Sequence, residues 1–122
     1  MLWVRVGAVA MLLAVALGAF GAHALRQRIS PEMLAVFEVG VRYHVYHALA
    51  LFAVAWVAER TPGSLAQASG WAFALGIVVF SGSLYLLSVT GVRWLGAITP
   101  IGGTAFLAGW VLLFLASSHM GR

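Results

Sequence analysis

The chain has 122 residues, of which 63% are hydrophobic and 8% charged, with a net charge of +4 and a mean hydropathy of +1.02. Soluble domains carry about 25% charged residues, so this inventory cannot build a water-facing surface and is that of an integral membrane protein. No cysteine is present for a disulfide or thiolate metal site. The basic residues are all arginines scattered at segment ends, which leaves no stripe for nucleic acid.

A helix crosses a bilayer with about 20 mostly apolar residues. Residues 6–25 supply the first span, with His23 its one strongly polar side chain. Arg5, the apolar run to Phe20 and Ala22-His23-Ala24 also imitate a secretory signal and its cleavage site. Further spans follow at once, so the segment is expected to stay as a helix.

The second span lies between Pro31 and Ala58 and is closed by Glu59-Arg60-Thr61-Pro62-Gly63. Entry at Pro31 puts Arg42 about 16 Å deep at 1.5 Å per residue, where a charge costs roughly 2.5–3.5 kcal/mol. Entry at Val41 avoids this. The pattern therefore predicts a crossing over 41–58 and a short interfacial amphipathic helix over 31–40. Met33, Leu34, Val36, Phe37 and Val41 fall on one arc of it, and Glu32, Glu38 and Arg42 on the other. Tyr43 and Tyr46 then stand in the aromatic belt.

Residues 70–89 form the third span and 100–118 the fourth, with Thr99 as N-cap and Pro100 at the first helical position. Short loops make successive helices antiparallel. The expected fold is all-α: one four-helix transmembrane bundle. Arginines are almost evenly divided between its two faces, so the positive-inside rule sets no orientation.

Let side A be the face reached by the first and third loops. His23, Tyr43, His44, His47, Ser81, Ser83, Tyr85 and Thr99 all fall towards it, with Glu38 and Arg42 adjoining. The side B half reads as Leu, Val, Ala, Phe and Trp. Polar side chains gathered in one leaflet are reached by water and headgroups, or satisfy one another across helices. They are expected to wall a polar pocket for a lipid headgroup or small polar ligand.

"LGAFGAH" (Leu17 to His23), "YHVYHALA" (Tyr43 to Ala50), "FSGSLY" (Phe80 to Tyr85), "TPIGG" (Thr99 to Gly103) and "FLAGW" (Phe106 to Trp110) occur in order. In these motifs the chain resembles the domain-of-unknown-function 423 family of small bacterial membrane proteins, the YgdD type, whose eukaryotic relative is called transmembrane protein 256. The likeness covers essentially the whole chain. The resemblance implies a four-helix bacterial inner-membrane protein with no established activity. It marks Gly18, Gly21, His23, His47, Ser81, Gly82, Ser83, Tyr85, Pro100, Gly102, Gly103 and Trp110 as motif positions. At Arg42 and His44 relatives can carry other residues.

Small residues spaced four apart (Ala14, Gly18 and Ala22; Ala72 and Gly76; Ala105 and Gly109) let helix backbones approach closely. Gly18, Gly21, Gly76, Gly82, Gly102, Gly103 and Gly109 are expected at helix contacts, within the bundle or on a dimer face. Glu38 and Arg42, at i and i+4 with the acid first, suit an ion pair or a zwitterionic headgroup.

Catalysis is not expected. A Ser–His pair lacks the G-x-S-x-G elbow, and the chain has no aspartate to orient a histidine. Two further readings stay open. Histidine suits a haem iron or a metal, so His23 and His47 on facing helices would clamp a haem b or hold a metal ion. Alternatively, the polar groups serve a small transporter or proton path, for which side B offers no matching route. Expected partners are membrane lipid, a second copy of the chain, or a larger membrane complex in which it is an accessory subunit.

Overall fold

Long apolar runs satisfy their backbone within themselves when no water is available, which makes each of them a helix. The computed structural model describes residues 1–120. Helix α1 (Leu2–His23) is followed by a 3₁₀ turn (Leu25–Gln27). Helix α2 (Pro31–Ala58) starts at Ser30, whose hydroxyl accepts the Met33 amide at 3.1 Å, with Pro31 pre-set in the first turn. The third span is built from α3 (Leu65–Gly76), a π turn (Ile77–Ser81) and α4 (Gly82–Thr90). It stops at Gly91, whose φ of +72° is the left-handed value that favours glycine. A 3₁₀ turn (Arg93–Ala97) leads into α5 (Thr99–Ser117). Among the described residues, four stretches are long and apolar enough to cross a membrane: Leu2–Gln27, Pro31–Ala58, Leu65–Thr90 and Arg93–Ser117. The chain is an all-α, four-helix membrane bundle.

Lipid tails are as apolar as leucine, so helices in a bilayer are held by fit rather than by escape from water. Helix α2 and the third span form the centre, with α1 laid against α2 and α5 against α3. The core is Leu51, Val54, Phe73 and Phe106, with Trp3 closing it near side B. Phe73 and Phe106 interlock: a methyl group added at Gly109 would fall 2.6 Å from the Phe73 ring, and one at Gly76 2.5 Å from the Phe106 ring. At Gly102 the neighbour is backbone, the Phe80 Cα at 2.7 Å from such a methyl group. Trp3 lies on Gly70 and donates its indole N–H to Gln67 at 2.9 Å, tying the start of α1 to α3.

Three expectations change. Residues 31–40 are not a separate interfacial helix but the first turns of a continuous α2, 28 residues and about 42 Å long. Phe37 fills the space at Gly21, while Gly40 receives Tyr85 and the Ser81 hydroxyl, so packing holds this segment in line with the span. Thr99 is not an N-cap. It is already helical, and its hydroxyl is bonded to Ser83. The side B half is not purely apolar either: the Trp3–Gln67 bond lies there, as does Ser69, which donates to the Gly109 carbonyl at 2.8 Å.

Candidate functional site

Buried hydroxyls need partners, and in hydrocarbon these must come from the protein. Ser81 donates to the Gly40 carbonyl at 2.7 Å, joining the third span to α2. Ser83 donates to the Phe80 carbonyl at 2.8 Å, so Thr99 is the donor in the 2.6 Å bond between their hydroxyls. These contacts use the serines and Thr99 up as structural links.

His47 is also fully used. Its Nδ1 donates to the Tyr43 carbonyl at 2.7 Å, and Nε2 accepts the Trp110 indole N–H at 3.1 Å. The two bonds define one neutral tautomer. The ring is stacked on Phe106, with centroids 3.6 Å apart and planes 6° apart. His23 lies two residues beyond Gly21, which contacts Phe37, and His47 is ten residues further along α2, about 15 Å away. His23 is exposed at the end of α1. A haem clamped between them does not fit this arrangement, since Trp110 occupies the nitrogen that would bind iron.

His44 is different. It is only 4% exposed, and its Nδ1 is 2.8 Å from the Tyr85 hydroxyl. Its Nε2 is itself inaccessible and has no partner in hydrogen-bond geometry among the described residues, although the Ala10 carbonyl of α1 lies beside the ring. An unpaired polar atom in such surroundings costs about 1–3 kcal/mol. His44 and Tyr85 lie on a lateral groove of about 730 Å³ between α1 and the third span. Leu13, Ala16, Ile77 and Val78 supply apolar walls, and Arg5 lies at the side B end.

The π turn helps to shape this wall. Its i→i+5 bonding adds a residue to the turn, which rotates everything after it by about 100° relative to an uninterrupted helix. With that rotation Ser81 meets Gly40 while Tyr85 meets His44.

The residues expected in one pocket thus separate. His44, Tyr85 and Ser81 come together; Ser83 pairs with Thr99; His47 belongs to an aromatic cluster with Phe73, Phe106 and Trp110. His23, Glu38, Arg42 and Tyr43 are exposed. Among the glycines expected at contacts, Gly21, Gly76, Gly102 and Gly109 lie under aromatic neighbours and Gly18 touches Val41. Gly82 has open space, and Gly103 makes only ordinary contact with Phe80. Gly7, Gly40 and Gly70 escaped the four-residue spacing, although each is buried under Phe52, Tyr85 or Trp3.

Residues 17–103 match the family described as "Protein of unknown function (DUF423)". The chain is 50% identical over 116 residues to the UPF0382 membrane protein YwdK of Bacillus subtilis, covering 94% of both chains. It is 43% identical to the UPF0382 membrane protein SH2409 of Staphylococcus haemolyticus, covering 95% of this chain and 94% of that one. No solved structure matches. With these matches, and with four helices able to span a membrane, it is a small multi-pass bacterial membrane protein of unknown function and belongs to the DUF423 family.

Proposed function

We propose that the protein is a non-catalytic binder of a membrane-resident molecule, held in the lateral groove between α1 and the third span. The ligand is mostly apolar, as are the walls it meets. A single observation carries this reading: an open groove of about 730 Å³ with apolar walls, large enough for a ligand, runs between α1 and the third span, with His44 and Tyr85 among its lining residues. The expected polar pocket thereby becomes an apolar groove.

The groove is tested by filling it. Ala16→Trp and Val78→Trp each place an indole in it from opposite walls. Delipidated protein given a bacterial lipid extract is expected to melt at a higher temperature, since a ligand that binds only the folded state stabilises it. Both variants should fold and lose most of that rise. An equal rise in wild type and both variants would contradict binding in the groove.

A further inference from the structure

We infer that the occupant of this groove is a phospholipid of the side B leaflet, with an acyl chain laid along the groove and its phosphate held by Arg5. This rests on the groove reading above and narrows it.

The way in is the first argument. Helix α1 is packed chiefly on α2 and stands away from the third span except where aromatic side chains reach across. Near side B, Trp3 of α1 lies on Gly70 of α3. Towards side A, Phe37 fills the space at Gly21, and its ring centroid is 4.9 Å from that of Tyr85. These two bridges bound the groove at its ends, and between them its flank is open. An occupant therefore enters sideways, from among the lipids beside the bundle.

Length is the second. On α1 the lining runs from Arg5 to Leu17, about 18 Å of helix at 1.5 Å per residue. One leaflet contributes about 15 Å of hydrocarbon, half of a core about 30 Å thick. An acyl chain that starts from a headgroup at Arg5 thus runs the length of the groove. Val9, Leu13 and Val78 line it with more than half of their surface exposed, which is the apolar area that methylene groups would cover.

Charge is the third. Arg5 is the one charged side chain among the lining residues, and it stands at one end. It is exposed, in a first turn of α1 that carries no acid. Gly7 meets Ala48 and Phe52 of the antiparallel α2, so Arg5 lies further towards Ala58 and side B. The long stem of an arginine lets its guanidinium reach headgroup level from such a place. Its planar fork matches two oxygens of a phosphate. A molecule that is apolar throughout would leave this charge unmatched. Arg60, also near side B, is already engaged: it donates to the Trp56 carbonyl at 3.0 Å and lies 4.3 Å from the centre of that residue's ring.

The test uses full-length, delipidated protein in mild detergent, with bound lipid counted by native mass spectrometry. Two probes share the same chains: dioleoyl phosphatidylglycerol carries the phosphate and dioleoylglycerol lacks it. Wild type should bind one phosphatidylglycerol about tenfold more tightly than the diacylglycerol, the ratio that a charge-assisted hydrogen bond supplies. Arg5→Gln should lose that preference and still bind the diacylglycerol, whereas Arg60→Gln should keep it. Ala16→Trp and Val78→Trp should bind neither probe while still melting as folded proteins. A preference that survives in Arg5→Gln, or is absent from wild type, would overturn the phospholipid assignment and leave the groove standing if both tryptophan variants lose binding. Uptake of neither probe by wild type would also overturn the assignment. No uptake from a bacterial lipid extract either, or equal uptake by the tryptophan variants, would overturn the groove as well.

Discussion

Trp110 on α5 donates its indole proton to His47 on α2 at 3.1 Å, so the ring the sequence marks as most chemical is held as a structural part. The same ring carries the Tyr43 bond and the Phe106 stack. His47→Ala should cost about 2–4 kcal/mol, from lost packing and an unpaired indole. Trp110→Asn should retain part of the bond. Trp110→Phe, which strands Nε2, should cost about 1–2 kcal/mol through that bond. Reversible unfolding in mixed micelles measures all three. A His47→Ala protein as stable as wild type contradicts this assignment.

Gly102 and Gly82 give opposite expectations for the same change. A methyl group at Gly102 meets the Phe80 backbone, which cannot rotate away, so Gly102→Ala should destabilise by about 1–3 kcal/mol. At Gly82 nothing lies within 4 Å, and Gly82→Ala should be neutral or gain up to about 1 kcal/mol of helix propensity. Melting both variants beside wild type decides it, and equal losses would show that the crossing is not set at Gly102.

The overall fold was legible because four long apolar runs leave few alternatives in a bilayer. The site was less so. Composition put the polar residues of the spans near side A, but helical phase decided which ones meet, and the π turn at Ile77–Ser81 resets that phase without a warning such as proline. His44 and His47 look alike in "YHVYHALA", yet Trp110, 63 residues away, satisfies one and leaves the other unpartnered at Nε2. The 31–40 segment misled for a related reason. Its amphipathic arc was real, but Phe37 on the apolar side packs against Gly21 and Tyr85 and keeps the segment in line with the span.

Ser83 and Thr99 should couple weakly. Interhelical hydrogen bonds in membranes average about 0.6 kcal/mol and reach about 1.7 in double-mutant cycles. The cycle of Ser83→Ala with Thr99→Val should return a coupling within that span. Zero coupling would mean the 2.6 Å contact adds nothing in a bilayer.

Native mass spectrometry of wild type beside Ala16→Trp and Val78→Trp, released from the same mild detergent, tests the central claim most directly. The wild-type chain should carry one small, mostly apolar adduct. Both variants, with the groove filled from opposite walls, should run bare at the same charge states. An adduct of unchanged mass and occupancy on all three proteins would contradict the account.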